Sequence, residues 1–291
     1  MLTSKGGGQM IGDALSGLIS RLEKISDTPA LDAQVLLAHQ LDRPRSWVLA
    51  HPEVQLTKTQ VKSLEEAVTL LEGGRPLPYV LGTWEFFSLE FEVTPAVLIP
   101  RPETELLVEW ALSWLRKRDP ENGELRLLDV GTGSGCIAIA LAVNVSNLIV
   151  TATDISHAAL DVARKNADRM HVLDRITFIE ADLFPTLSIP QPCQLIVSNL
   201  PYIPTEILKK TPVYGREPAI ALDGGTDGLE IIGRFLKKAP SCLLPGGALL
   251  IEIEASEGPA VKLLALDVFP NAGIRLHKDL AGRDRLLEVQ T

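Results

Sequence analysis

Apolar positions recur at three- and four-residue spacing from Ile11 to about Gly73. They run Leu15, Leu18, Ile19 and Leu22, then Val35, Leu36, Leu37 and Leu41, then Val61, Leu64, Val68 and Leu71. That spacing predicts short amphipathic helices. Pro29, Pro44 and Pro52 punctuate them, and Asp27-Thr28-Pro29 has the form of a helix start. Short helices striped in this way can bury their apolar faces only against one another. Residues 11–80 are therefore expected to form a small helical bundle behind a flexible, glycine-rich lead-in at 1–10.

The period changes between Gly82 and Pro102. Trp84, Phe86 and Phe87, then Leu89, Phe91 and Val93 alternate with polar residues, as paired strands do. Residues 81–102 are expected to be a β-hairpin linker between two domains. Pro100 and Pro102 then stiffen the approach to a helix at Thr104–Arg118, with Glu103 and Glu105 at its N-terminal end, where the helix dipole favours them. From Leu125 onward, apolar strands (Leu125–Val130, Leu148–Thr153, Ile176–Ile179, Leu195–Ser198, Ala248–Ile253) alternate with helices (Gly135–Val145, His157–Met170, Thr226–Lys238, Glu257–Phe269). This alternation predicts an α/β domain at 103–291 with a mixed, mostly parallel sheet covered on both faces. Ligands of such sheets sit at the carboxyl ends of the strands, where connections diverge.

Composition narrows the class. With 291 residues and 46% hydrophobic content, a packed core is expected and wholesale disorder is excluded. No apolar run approaches the ~18–20 residues of a membrane span, and the first ten residues lack the form of a secretory signal. Cys136, Cys193 and Cys242 are odd in number and far apart, which fits a reducing cytoplasm rather than a disulfide or zinc framework. The net charge is −9; residues 1–80 carry 8 basic and 9 acidic groups, so the acidic excess lies almost wholly in the remainder. That balance disfavours direct nucleic-acid binding and suits a basic protein partner.

Candidate chemistry gathers at strand ends. Asp129-Val130-Gly131-Thr132-Gly133-Ser134-Gly135 ends the first strand and opens a helix, and its three glycines let the backbone turn sharply against a ligand. Cys136 breaks the G-x-G-x-x-G dinucleotide fingerprint, and no Gly-Lys-Ser/Thr follows to make a phosphate loop. Asp154 closes the second strand, where a carboxylate can accept from ribose hydroxyls. Asp182-Leu183-Phe184 follows the third; an acid there can meet an adenine amino group, with apolar cover beside it. After the fourth comes Asn199-Leu200-Pro201-Tyr202. An amide acceptor, a fixed backbone and a flat ring can hold a planar NH₂ group with its nitrogen directed at an electrophile. The five histidines are scattered and form no triad or metal set.

Taken together, these segments resemble S-adenosylmethionine-dependent amino-methyltransferases. Glu85-Phe86-Phe87-Ser88-Leu89, Leu98 to Glu105 (LIPRPETE), Glu217 to Gly225 (EPAIALDGG) with Asp227-Gly228-Leu229, and Asp279 to Arg285 (DLAGRDR) narrow the resemblance to the N5-glutamine methyltransferases of the PrmC/HemK family, from about Leu31 to the C-terminus. The resemblance implies a Rossmann-like class I methyltransferase domain that uses S-adenosylmethionine, releases S-adenosylhomocysteine and needs no metal. It implies that the turn from Asp129 through Gly131, Thr132, Gly133, Ser134 and Gly135 lines the methionine and ribose part of the cofactor. Asp154 would bind the ribose, Asp182 and Leu183 the adenine, and Asn199 the cofactor as well as the substrate. Asn199, Pro201 and Tyr202 would be catalytic, with the carbonyl of Leu200 helping Asn199 to hold the substrate amide. The implied substrate is the glutamine of the Gly-Gly-Gln loop in class I peptide chain release factors, whose methylation modulates translation termination. The helical domain would help to seat that partner.

The chain departs from the family pattern at Leu200, where a proline is usual, and at Glu254 and Glu257, two carboxylates after the late strand Ile251-Glu252-Ile253. A glutamine of a ribosomal protein and adenine N6 of nucleic acid present the same kind of NH₂ group and stand as alternative substrates. Gly7-Gly8-Gln9 repeats the implied target tripeptide within the lead-in, a match that a short glycine-rich segment produces easily by chance.

Overall fold

The structure is a computed structural model that describes residues 8–118, 123–185 and 191–291. It divides between Gly82 and Thr83 into two compact units. Residues 1–7, most of the expected lead-in, lie outside the described residues, whereas the Gln9 carbonyl accepts from the Leu56 N–H at 2.8 Å.

The first unit holds α1 (Ile11–Leu22), α2 (Pro29–Leu41), α3 (Arg45–Ala50), α4 (Lys58–Glu72) and α5 (Leu77–Leu81). Helix α2 begins at the predicted Thr28-Pro29 step, and α4 opens on a capping box in which Thr57 and Gln60 each satisfy the other's backbone N–H. Leu18, Leu22, Leu36, Leu37, Leu64 and Val68 form the centre of its core, with Ile11 and Val48. Leu15 and Ile19 only flank that core, because the buried stripe of α1 runs through Ile11, Ala14, Leu18 and Leu22 instead.

The second unit opens with a hairpin, β1 (Thr83–Phe86) and β2 (Leu89–Glu92). Its two turn residues, Phe87 and Ser88, both take left-handed backbone (φ 52° and 59°), which a tight hairpin needs and which glycine or asparagine usually supplies. Glu105 supports the turn by accepting from the Phe87 N–H at 2.9 Å. After it come α6 (Thr104–Arg116), β3 (Leu125–Val130), α7 (Cys136–Asn144), β4 (Leu148–Asp154), α8 (His157–Arg169), β5 (Ile176–Glu180), β6 (Cys193–Asn199), α9 (Thr205–Leu208), α10 (Glu230–Lys238), β7 (Leu243–Glu252), α11 (Gly258–Val268), β8 (Gly273–Lys278) and β9 (Asp284–Gln290). The seven-stranded sheet runs β5-β4-β3-β6-β7-β9-β8. Its first five strands are parallel, while β9 is antiparallel to both neighbours. Chain order reverses between β3 and β6, so the ligand crevice of this topology falls at their carboxyl ends.

Two differences from the sequence reading have local causes. Helix α10 starts at Glu230 rather than Thr226, because Gly228 is left-handed and the Asp227 carboxylate caps the Leu229 N–H at 3.0 Å. The edge strand β8 alternates only from Gly273 to Leu276 before its register shifts at His277/Lys278, and β9, paired between β7 and β8, is buried on both faces from Arg285 to Val289. Asn166 of α8 ties the hairpin to the glycine turn, since its side chain reaches both backbone groups of Glu92 and the Ser134 carbonyl.

Candidate functional site

A cavity of about 500 Å³ opens at the carboxyl ends of β3, β4 and β6, within the range of ligand pockets. Gly131, Gly133, Asp154, Asp182, Leu183, Asn199, Leu200 and Pro201 line it. Asp129, Thr132, Ser134, Gly135 and Tyr202 are not part of the lining. A smaller cavity of about 270 Å³ lies at the opposite ends of the strands, beside Glu124, Arg126 and Gln191.

The residues behind the glycine turn shape it. Thr132 donates its hydroxyl to Asp129 Oδ2 at 2.6 Å, and both residues are buried. Burial pushes the Asp129 carboxyl up to about 7, although Thr132 and the Ala138 N–H stabilise its charge. Gly131 and Gly133 are left-handed (φ 75° and 56°), and a Cβ at Gly133 would meet nothing within 4 Å, so the backbone there is bare toward the cavity. Gly135 serves packing: a Cβ there would sit 2.8 Å from Ile139 Cδ1 and 3.2 Å from Ala163 Cβ.

Asp154 closes β4 with both oxygens engaged, one by the Gly133 N–H at 2.8 Å and one by the Ser156 N–H at 2.9 Å. These bonds fix the carboxylate at the wall and leave it lone pairs for further donors; desolvation raises its pKa. Leu183 is left-handed (φ 67°), and the Phe184 N–H bonds back to the Asp182 carbonyl at 3.0 Å, a γ-turn with a strained central residue. The buried Thr153 hydroxyl holds that turn through the Leu183 carbonyl at 2.8 Å. Asp182 pairs with Arg234 of α10 at 2.5 Å.

The turn after β6 is fixed from several sides. Ser198 donates to the Val130 carbonyl at 2.5 Å, tying β6 to β3. Leu200 is buried, and its Cδ2 would lie 3.4 Å from a Cβ on Gly131, so the unusual leucine fills the space beside the glycine turn. Gly224 and Gly228 stand against the backbone of Tyr202, where a Cβ would come within 2.7 Å and 2.3 Å of it. The carboxylate of Asn199's neighbourhood is Glu252, at the end of β7 and 2% exposed. Asn199 Nδ2 donates to Thr104 Oγ1 at 3.0 Å. Burial raises the Glu252 pKa to about 7, while the nearby Thr104 and Asn199 side chains and Arg285 favour its charged form. Arg285, almost buried, faces Glu254 and Asp279, each at 3.6 Å. Burial, then Glu252 and Glu254, push the Tyr202 phenol well above its usual range.

Three segments singled out in the sequence meet around this site. Arg101 bonds Glu217, whose other oxygen accepts from the Ile99 N–H at 3.1 Å, joining the LIPRPETE and EPAIALDGG segments. Arg285 brings in the terminal one. Glu254 and Glu257 lie outside the cavity lining. Burial raises Glu257 to about 7, with Glu254 and Asp227 adding to it. Sequence reasoning gave no role to Thr104, Asn166 or Glu252, because each acts through partners distant in the chain.

Four carboxylates (Asp154, Asp182, Asp223, Glu230) and one guanidinium (Arg234) line the cavity, an electrostatic excess that suits a cationic ligand. With bare glycine backbone, a fixed carboxylate at a strand end and apolar Ile155, Ala159 and Leu183 nearby, the residues present fit a nucleoside sulfonium. Among the described residues no group of three His, Cys, Asp or Glu side chains is placed to hold a metal ion.

Two family models match the chain: the PrmC N-terminal domain over residues 13–82 and a methyltransferase domain over residues 127–211. The chain is 38% identical over 95% of its length to the release factor glutamine methyltransferase of Coxiella burnetii, covering 97% of that protein. It is 43% identical to the protein of the same name from Moorella thermoacetica, over 89% of this chain and 90% of that one. The chain belongs to the release factor glutamine methyltransferase family. In fold, the chain is also similar to a solved methyltransferase from Pyrococcus furiosus (TM-score 0.50, 16% identity, 80% of this chain and 98% of that one). The expected class I methyltransferase fold, with its mostly parallel sheet, is thus the fold of this family member. Among the described residues no helix is long and apolar enough to cross a membrane.

Proposed function

We propose that this chain transfers the methyl group of S-adenosylmethionine to the side-chain amide nitrogen of the glutamine in the Gly-Gly-Gln loop of class I peptide chain release factors, in the cytoplasm and without contacting nucleic acid directly. Support comes from the family, from the acidic lining of the cavity, and above all from one contact. Asn199 stands at the cavity wall with Nδ2 committed to Thr104, which leaves Oδ1 as an acceptor for a substrate N–H. The carbonyl of Leu200 is the second acceptor, and Pro201 and Tyr202 fix the turn that carries both.

S-adenosylmethionine supplies an electrophilic methyl carbon on a sulfonium. Asp154, Gly131 and Gly133 would hold its ribose and methionine part, and Asp182 and Leu183 its adenine. Asp129, Thr132, Ser134 and Gly135 would serve the cofactor from behind, by setting the turn. An amide nitrogen is a poor nucleophile because its lone pair is shared with the carbonyl. Two acceptors gripping its hydrogens favour a pyramidal nitrogen and stabilise the positive charge that develops on it. Alignment supplies most of the rest, since well-oriented pairs reach effective molarities of ~10⁵–10⁸ M. No dedicated general base is needed.

Methyl-labelled donor is offered to the protein with a release factor, a ribosomal protein and DNA in separate arms. Label on the Gly-Gly-Gln glutamine is the expected result; label only on the ribosomal protein or the DNA overturns the reading. Asn199→Ala is expected to lower transfer by at least about 10²-fold while donor affinity stays within about threefold. A fully active variant removes Asn199 from the chemistry.

A further inference from the structure

We infer that Thr104 and Glu252 are positioning residues for methyl transfer: they lock the Asn199 carboxamide with its NH₂ end turned away from the cavity and its oxygen toward it. The inference rests on the function proposed above and asks what that function leaves open. A carboxamide has two ends of similar shape, and only one of them can accept a substrate N–H. Flipped by half a turn, Asn199 would present donors to a donor, and the grip would be lost.

The contacts behind the turn decide between the two. Asn199 Nδ2 donates to Thr104 Oγ1 at 3.0 Å, and Thr104 is itself 2% exposed at the first position of α6. The Glu252 side chain, 2% exposed, lies beside both, and Thr104 and Asn199 favour its ionised form. An ionised carboxylate only accepts. The threonine hydroxyl has one hydrogen; spent on Glu252, it leaves Oγ1 free only to accept. In that arrangement donation runs one way, from the Asn199 amide to the hydroxyl, with the hydroxyl hydrogen turned toward the carboxylate. Neither Thr104 nor Glu252 lines the cavity, so both act through Asn199 and touch no substrate there.

Direction in such a chain depends on the charge at its end. A protonated Glu252 could donate to Thr104, whose hydrogen would then turn to Asn199 and permit the flipped amide. The groups facing Glu252 are Arg285 from β9 and Glu103 before α6, with the Tyr202 phenol and the Cys136 thiol of α7 within its field. Arg285 favours the ionised form, Glu103 opposes it, and burial opposes it most. Among the described residues Glu252 Oε2 has no hydrogen-bond partner, so little besides Thr104, Asn199 and Arg285 holds the charge in place.

The test compares wild type, Thr104→Val, Thr104→Ser and Glu252→Gln with the full chain, labelled donor and a release factor. The wild type is run first, since its silence overturns the proposed function and this inference with it. With an active wild type, Thr104→Val is expected to lower kcat by at least about tenfold, while the release factor KM and the donor Kd stay within about twofold. Thr104→Ser, which keeps the hydroxyl, is expected to stay within about threefold of wild type in kcat. The wild-type kcat is expected to fall on the acid side of about 7, where Glu252 takes up its proton, and Glu252→Gln to lower kcat and remove that limb. Asp129 and Glu257, also raised to about 7, remain in that variant and serve as its control. Full activity in Thr104→Val overturns the inference alone. So does a Thr104→Ser variant as slow as Thr104→Val, or an acid limb that survives Glu252→Gln.

Discussion

Around Leu18, Leu36 and Leu64 the helical unit buries only apolar side chains, and no polar or charged residue is buried among its described residues. The α/β unit buries Asp129, Glu217, Glu252, Arg285 and Glu288 together with several hydroxyls, most of them near the carboxyl ends of the strands. Buried charge costs stability unless it is paired and hydrogen-bonded. Its concentration in one unit marks where the fold gives up stability for chemistry. The helical unit carries less of this burden: its half-buried Arg21 sits between Glu65 at 2.7 Å and Glu72 at 2.8 Å, with one Glu65 oxygen buried and unpartnered.

The contrast can be broken at either end. Leu64→Ala removes a buried anchor of α4 and is expected to destabilise the helical unit by about 2–5 kcal/mol, with donor affinity unchanged. Denaturant unfolding and donor titration on the same variant check this. A large loss of donor affinity would show that the helical core also shapes cofactor binding.

In the α/β unit the sign depends on pH. The Asp129 carboxyl lies at about 7 in the folded protein, above its ordinary value near 3.8. The folded state therefore holds a proton that the unfolded state has lost between those two values, so this group's contribution to stability falls as pH rises through that window. At about 1.4 kcal/mol per unit, the loss is on the order of a few kcal/mol and is complete above pH 7. Asp129→Asn removes the titration. Its stability relative to wild type is expected to rise from about pH 4 to about pH 7 and to level off above that, read by unfolding at each pH; a flat difference across that window would place the burial cost elsewhere.

The smallest effect is back in the helical unit. Arg21→Met breaks both ion pairs of a half-buried guanidinium, yet is expected to cost no more than about 1 kcal/mol and less in high salt. A cost of several kcal/mol would show that this unit, too, leans on charge.

The same divide governs what could be read from the sequence. The helical stripes, the strand–helix alternation and the two site turns are contiguous patterns and are legible in the sequence, although the α1 stripe shifts to Ile11, Ala14, Leu18 and Leu22 and α10 starts four residues late. Gly131 to Gly135 and Asn199 to Tyr202 declare themselves because all their residues lie within a few positions. Thr104 and Glu252 do not, since Asn199 meets Thr104 across 95 residues and Glu252 sits in an apolar strand with no local mark. The hairpin was visible from its alternation although its turn, Phe87-Ser88, lacks the usual glycine; Glu105 supports that turn from 18 residues away. Strands β8 and β9 carry weaker marks, since β8 alternates over only four residues before its register shift and β9 is buried on both faces. Asp129, Thr132 and Ser134 share the glycine turn in sequence but face inward, a difference of side-chain direction that spacing alone does not carry.

Everything above turns on a sulfonium carbon and a substrate amide meeting beside Asn199. A crystal structure of the protein with S-adenosylhomocysteine tests it most directly. The expected result is the ribose on Asp154, the adenine against Asp182-Leu183, and the sulfur facing the Asn199–Tyr202 turn. The nucleoside bound instead at the opposite ends of the strands, beside Glu124 and Arg126, would contradict it.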